Sequence, residues 1–446
     1  MDFIGLCKKI ISIESTPSTG NGEVAQFCAE LCRGAGLEVT LQERSFRNQK
    51  NFNLLARPPN SKDPKEEVIF QTHLDTVEPG PLSHWAKTDS NPFYATIEGD
   101  KIFGLGAADV KLDFLCKLFA LAQFKDEKFR KPFVLIGTYA EEVGMHGAQY
   151  IIESKAVNSK LAFIGEPSEL QIVYANNGYM ILDFKIFFSD IEKAHKNSPL
   201  DMARTQEKMF HGKAVHSSTP HLGDNAILKL VGYVAKLPRG TAILNASGGS
   251  SENTVPADAE IEIDGGKVFD SSVGDKLVLL FQELQKLERE FLNFDNRDFA
   301  PPSPTLNPGV LETKEWGLNL AVSFRITPEV RAHQLEEWIE RFEKFSKKNG
   351  MECVRKRISP PALTPITGEL VKGAIEISKR LSLPLKPITK ASSTECSVYG
   401  QCGIESIVFG PGVSIGNSHT ANEYNFLSHL EKAKQFYAEA VKRFCL

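Results

Sequence analysis

The chain reads as an α/β domain with a largely parallel sheet, interrupted by an inserted α+β domain. Two observations carry this. Short β-branched or aromatic runs alternate with helical patterns near both ends of the chain. The middle instead shows alternating strands grouped with long charged helices. The α/β part is expected at 1–178 and 359–446, and the inserted α+β part at 179–358.

Residues 22–36 carry apolar positions at helical spacing and end on glycine, a helix with a C-terminal stop. VIFQTH (68–73) is a strand and LDFLCKLFALAQF (112–124) a helix. PFVLIGTYA (132–140) is a strand, GAQYIIES (147–154) a helix and LAFIG (161–165) a strand. The alternation returns with a helix from Gly368 to Leu381, a strand over 404–410 and a last helix over 427–444. In the middle, GYMILDFKI (178–186) alternates as a strand with an exposed face does, and 188–206 is a polar insertion. A helix follows from Asn225 to Leu237, then strands TAILNAS (241–247) and TVPADAEIEID (254–264). A charged helix from Asp275 to Phe291 leads into the Pro-rich loop FAPPSPTLNP (299–308). The strand GLNLAVSFRI (317–326) and a helix from Pro328 to Lys347 complete the insert.

Composition narrows the class. The 446 residues are 41% apolar and 24% charged, which excludes a disordered chain and allows a large core. With 52 Lys plus Arg against 56 Asp plus Glu, the net charge of −4 offers no basic field for nucleic acid. No apolar run reaches membrane-spanning length, and Met1 to Ser12 lacks a signal pattern. Eight cysteines without a CxxC pair do not make a disulfide scaffold. Cys28 and Cys32, one helical turn apart, read as a buried helix face. A reduced, cytoplasmic protein without a membrane partner is expected.

In open α/β sheets, function collects at the carboxyl ends of the strands. The first strand ends in His73 and Asp75, the second is followed by Glu141 and Glu142, and the third by Glu166. Asp109 sits in the Gly-rich turn GLGAADVK before a helix, and His419 lies in the loop FGPGVSIGNSHTANEY. This mixed N/O set suits Zn²⁺, Co²⁺ or Mn²⁺. A single metal would leave several carboxylates without countercharge. Two metals sharing one carboxylate neutralise them better. Each signal has an ordinary reading. A strand-end His usually packs, an adjacent Glu pair is usually a solvated turn, and GLGAAD resembles a phosphate cradle that no G-x-G-x-x-G or GK[ST] completes.

The ordered set HLDTVEP, GLGAADVK, AEEVGMHGA, IGEPSEL, GKAVHSSTPHLGDNAI, NTVPA and FGPG…SHTANEY resembles a family of dinuclear zinc hydrolases. Its members include acetylornithine deacetylase, succinyl-diaminopimelate desuccinylase and carboxypeptidase G. The resemblance spans about residues 5–445, and GLGAADVK, YAEEVGMHGAQY, IGEPSELQIV and STEC (393–396) are most similar to the acetylornithine deacetylase branch. It implies two Zn²⁺ per chain, with Co²⁺ or Mn²⁺ able to substitute. His73 and Glu166 would hold one ion, Glu142 and His419 the other, and Asp109 would bridge. Asp75 would orient His73 by accepting its free ring N–H, and Glu141 would be the general base. The inserted domain would dimerise, bringing His216 of GKAVHSS into the site across the dimer as an oxyanion donor. Asn253 in NTVPA would contact substrate.

The sequence departs from the family in places. The family's arginine for the substrate carboxylate belongs at the end of the strand after NTVPA, but that strand runs into Asp264-Gly265-Gly266. Arg325 in SFRITPE is the candidate, displaced by an insertion over about 266–303; its ordinary reading is an exposed edge-strand residue. Leu112 replaces a family glycine after the DxK turn. The expected activity is hydrolysis of an N-acyl-L-amino acid. The alternative is a metallo-exopeptidase or dipeptidase with the same centre. A silent binding protein would have no physical need for five clustered polar ligands. Substrate side chain, acyl group and native metal stay open on sequence alone.

Overall fold

The computed structural model describes residues 2–59, 61, 66–199 and 203–446. The chain divides into two compact units. One comprises Met1–Asn176, Ala362–Thr389 and Thr394–Leu446, the other Asn177–Pro361 with Lys390–Ser393.

The first unit is built on a mixed sheet. Its centre is four parallel strands in the order Phe133–Thr138, Glu67–His73, Ser159–Gly165 and Glu405–Val408. Each reads as an apolar run because both faces are covered. One face holds Ile69, Ile136, Ala162 and Ile164 against Ile151 and Tyr399 of the helices His146–Glu153 and Cys396–Gln401. On the other, Phe163 meets Phe436 and Phe444 of the helix Leu427–Phe444, and Phe409 stacks on Phe436 at 3.6 Å between centroids. Burying one such side chain contributes about 1.5–3 kcal/mol.

Parallel pairing is confined to that centre. On one side lies the antiparallel hairpin Glu38–Phe46 and Gln49–Arg57, on the other Val173–Asn176 and Ala362–Leu363. Neither edge was expected from sequence. The helices Gly22–Gly34, Lys111–Leu121, Glu369–Arg380 and Leu427–Phe444 occupy their expected segments. Cys28 and Cys32 are fully buried. No helix among the described residues is long and apolar enough to cross a membrane.

The second unit is an antiparallel sheet in the order Thr205–His211, Asp258–Val268, Thr241–Gly248, Thr305–Lys314, Gly317–Ile326, Gly178–Phe187, Met351–Ser359. Met180, Leu182, Leu320, Val322 and Phe324 point to the face covered by the helices Ala226–Val234, Val273–Glu290 and Ala332–Lys348.

Several expectations change here. Gly178–Phe187 is an interior strand whose first five residues are buried; the expected alternation with an exposed face appears only from Leu182 to Phe187. The strand placed at 254–264 runs over Asp258–Val268 and passes through Gly265 and Gly266. The Pro-rich loop placed at 299–308 ends at Thr305, where a strand begins and absorbs Pro308 at a bulge. Within the insertion placed at 188–206, Ser189 and Glu192 form a capping box for the helix Asp190–Lys196. Residues 200–202 of that insertion lie outside the described residues.

Candidate metal centre

Four parallel strands deliver their carboxyl ends to one edge of the sheet, so each chain must turn there. His73 is the last residue of its strand. After Phe133–Thr138 the chain turns at Ala140, a non-glycine residue at φ 52°, and presents Glu141 and Glu142 together. His419 is likewise left-handed at φ 60°. Such positions cost about 1–3 kcal/mol and persist where surrounding structure over-determines them. Glycine is obligatory at two supports. A Cβ on Gly106, at φ 82°, would lie 2.4 Å from Lys111 Cε, and one on Gly165 would lie 2.0 Å from Asp113 Oδ2.

The side chains converge. Asp109 Oδ1 lies 3.2 Å from His73 Nε2 and its Oδ2 lies 3.3 Å from His419 Nε2. His419 Nε2 is also 3.1 Å from Glu142 Oε1, and His73 Nε2 is 4.0 Å from Glu166 Oε1. Two groups have ligand atoms all within 4.8 Å of one another: His73 with Glu141 and Glu166, and His73 with Asp109 and Glu142. The five residues expected as ligands and Glu141 are therefore brought together.

Asp75 acts differently from the expectation. His73 Nδ1 faces the Asp75 main-chain oxygen at 3.0 Å, whereas the carboxylate is 3.7 Å away. That carboxylate accepts the backbone N–H groups of Glu141 and Glu142, both at 3.1 Å. Asp75 thus ties the His73 turn to the Glu141–Glu142 turn.

The electrostatics show a deficit of positive charge. Five carboxylates share the site with two imidazoles. Burial and the charge of Glu166 push the Glu141 carboxyl well above its usual range. Burial also raises Asp75, to about 6, against the opposing charge of His73. Burial disfavours His73 protonation, but the hydrogen bond to Asp109 and the charges of Asp75 and Glu141 outweigh it. Glu142, then Asp109, raises His419. A divalent cation would relieve this excess, and the donor set of imidazoles and carboxylates fits one.

The model of Peptidase family M20/M25/M40 matches residues 69–443. The chain belongs to this family. As an M20 chain it is an enzyme that hydrolyses amide bonds. It is 26% identical to an acetylornithine deacetylase of Buchnera aphidicola subsp. Schizaphis graminum, covering 99% of this chain and 98% of that protein. An acetylornithine deacetylase of Pectobacterium carotovorum is 34% identical over 50% of this chain and 52% of its own length. Among solved structures, the M20 chain resembles an aminoacylhistidine dipeptidase from Vibrio alginolyticus with a TM-score of 0.67 at 15% identity, covering 99% and 96% of the two chains. It also resembles an M20 family metallo-carboxypeptidase from Sulfolobus solfataricus, with a TM-score of 0.64 at 18% identity over 99% of both chains.

The three substrate-side residues expected in the inserted part lie in the second unit of this M20 chain, tied to one another. The Ser217 N–H donates to the Asn253 carbonyl at 2.8 Å, and His216 bridges Thr254. Arg325 Nη2 donates to Ser217 Oγ at 3.3 Å. Arg325 is 6% exposed on an interior strand, which replaces its reading as an exposed edge residue. His216 Nδ1 accepts the Ser218 N–H at 3.2 Å, which assigns the ring proton to Nε2.

Sequence reasoning missed several supports. Glu423, four residues after His419 in the same motif, accepts the N–H groups of Ala108 at 2.8 Å and Asp109 at 3.0 Å. Burial raises its carboxyl to about 8, with Asp109's charge adding to the effect. Lys111 donates to the Ile13 carbonyl at 2.9 Å from full burial. Beneath the His73 strand, Lys117 and Asp113 form a wholly buried pair at 2.7 Å, and Thr72 donates to Asp113 at 2.6 Å.

Proposed function

We propose that the protein is an N-acyl-L-amino-acid amidohydrolase of the acetylornithine deacetylase type. It would use two Zn²⁺ ions per chain, which Co²⁺ or Mn²⁺ could replace. The observation that carries this reading is Asp109, whose two oxygens address two different histidines. His73 and Glu166 would hold one ion, Glu142 and His419 the other. Bound there, the ions would acidify a water and polarise the acyl carbonyl. Glu141 would take the proton of the attacking water and return it to the leaving amine. Its raised proton affinity suits both steps. The backbone N–H groups of Glu141 and Glu142, both donated to the Asp75 carboxylate, fix the turn that carries it. His216 would donate from Nε2 to the developing oxyanion. Arg325 would bind the substrate carboxylate, and Asn253 would line the same site.

The deacylase reading is supported by the relative that spans almost the whole chain. The same centre would serve a metallo-exopeptidase or dipeptidase, which the structural likenesses favour. The second unit would be a dimerisation and lid domain. Eight unpaired cysteines suit a reducing compartment, and we place the enzyme in the cytoplasm. A substrate panel on the zinc-loaded protein decides between the readings. N-acetylornithine and other N-acyl amino acids should turn over faster than dipeptides; the reverse order would make it a peptidase.

A further inference from the structure

Beneath the metal centre, on the sheet face covered by the helix Leu427–Phe444, lies a polar cluster that the proposed chemistry does not use. Asp113 and Lys117, one turn apart on the helix Lys111–Leu121, pair at 2.7 Å with both side chains wholly buried. Lys117 also donates to Thr72 Oγ1 at 2.9 Å and to the Gln71 carbonyl. Asp113 accepts the Thr72 hydroxyl at 2.6 Å and the Tyr437 hydroxyl at 2.5 Å. Every member of the cluster belongs to the first compact unit.

The cluster meets the chain just before two expected ligands. Thr72 precedes His73, Gly165 precedes Glu166, and parallel register sets Thr72 opposite Gly165. Successive residues of a strand alternate faces, so Thr72 anchors its strand from the side opposite to His73. A Cβ on Gly165 would lie 2.0 Å from Asp113 Oδ2, 2.6 Å from Lys117 Nζ and 2.7 Å from Thr72 Oγ1. The ion pair therefore fills the place of a side chain at 165. It rests directly on the backbone that leads into Glu166.

Stability alone does not call for such a pair. Taking two charges out of water is costly, and well-packed apolar side chains of similar volume commonly serve a fold as well or better. Burial disfavours the Lys117 ammonium, and the charge of Asp113 opposes that. An apolar pair could not hold a hydroxyl and a main-chain carbonyl by directed bonds. Here such bonds fix Thr72 from two sides. The ligands assigned to the other ion are supported elsewhere. The Glu142 N–H donates to the Asp75 carboxylate at 3.1 Å. The His419 loop is closed by Asn417 Nδ2, which donates to the Val413 and Tyr424 carbonyls, both at 2.9 Å.

We propose that Asp113 and Lys117 are positioning residues for His73 and Glu166, and that of two bound ions they govern the one those ligands would hold. This rests on the dinuclear reading above. Through Thr72 and Gly165 the pair sets where two strand ends stop, and with them the 4.0 Å between His73 Nε2 and Glu166 Oε1. Hydrogen-bonded partners behind a metal ligand typically carry about ten- to a hundred-fold in metal affinity. Loss of the pair weakens that ion and leaves the ion of Glu142 and His419 in place.

The test reads metal binding apart from folding. Asp113→Leu combined with Lys117→Met replaces the pair by apolar side chains of similar size. Thr72→Val cuts the bond to the His73 strand and keeps the shape. Metal-free, both variants should unfold at a denaturant midpoint close to that of wild type. In competition with a zinc chelator, each should hold one of two equivalents about ten- to a hundred-fold more weakly and the other unchanged. Thr72→Ser, which keeps the hydroxyl, should bind both ions as wild type does. Imidazole nitrogen NMR, with signals assigned through His73→Ala and His419→Ala, locates the loss: the weakened step should be the one that the His73 signal follows. Wild-type affinity for both ions in Thr72→Val, whether or not the double variant folds, or equal weakening of both ions, overturns the proposal. In the metal-free protein the His73 signal should move in Thr72→Val while that of His419 stays. If it moves and wild type takes up no zinc, the dinuclear reading fails and the positioning stands. If two ions bind while the His73 signal and both affinities stay unchanged, the reverse holds.

Discussion

Asp109 stands between His73 and His419, with one carboxylate oxygen 3.2 Å from the first imidazole and the other 3.3 Å from the second. Its carboxyl is held well below the usual range: burial opposes ionisation, and hydrogen bonds from His419 and His73 overcome that. A carboxylate so placed can serve two cations at once. Glu423 fixes its backbone from behind by accepting the Ala108 and Asp109 N–H groups.

Elemental analysis of zinc-equilibrated wild type should therefore give close to two equivalents per chain. Asp109→Ala should retain at most one, because each site loses a ligand and the two charges lose their shared screen. Two equivalents bound by Asp109→Ala would show that the carboxylate is not shared. A wild-type value near zero, without rescue of activity by Zn²⁺ or Co²⁺, would remove the metal centre.

Glu141→Gln should keep the metal and lose about two to four orders of magnitude in kcat, since the amide keeps the shape but cannot accept a proton. Glu141 and Glu142 are separable by this experiment. Glu142 is hydrogen-bonding distance from His419, whereas Glu141 shares a 4.8 Å group with His73 and Glu166. Loss of metal in step with activity would make Glu141 a ligand and exchange their roles.

What the sequence disclosed follows from what is local. His73, Glu141, Glu142 and Glu166 were legible because short apolar strands end abruptly in polar residues. The hairpin before them was not. Its turn residues Arg47 and Asn48 both have positive φ, at 51° and 61°, without the Asn-Gly pair that usually signals such a turn. Met351–Ser359 was hidden because its bulge breaks the two-residue alternation. Asp113 and Lys117 look like ordinary polar positions of a helix; only packing against Gly165 and Thr72 shows that the pair is buried. Arg325 was found through its motif setting, but its burial on an interior strand was invisible until the sheet order was known.

Glu395 allows a pH test. It lies in STEC, fully buried beside Thr138 and Gln71. Burial pushes its pKa from 4.5 up to about 7, against the charge of His73. The folded, metal-free protein then holds this proton more tightly than the unfolded chain does. Its contribution to stability must fall as pH rises through that interval, by an amount on the order of 3 kcal/mol. Glu395→Gln cannot titrate. Denaturant unfolding of the metal-free forms should show the variant gaining on wild type between pH 5 and pH 8. A difference that stays constant across this range would mean that Glu395 is not desolvated as described.

The final prediction concerns His216. It belongs to the second compact unit, whereas every expected metal ligand and Glu141 belong to the first. Its Nδ1 is occupied by the Ser218 N–H, leaving Nε2 as the donor that an oxyanion needs. Among the described residues the strand Thr205–His211 ends its sheet and pairs only with Asp258–Val268, an edge on which a second copy could add. A homodimer formed through this unit, with His216 acting across it, makes a testable demand. His216→Ala should lower kcat about a hundred- to a thousand-fold while retaining metal. Mixing His216→Ala with Glu141→Gln under conditions of subunit exchange should restore part of the activity, because one site in the heterodimer then has both residues intact. Proven exchange without recovery, or a strictly monomeric protein with full activity, would show that His216 does not act across a dimer.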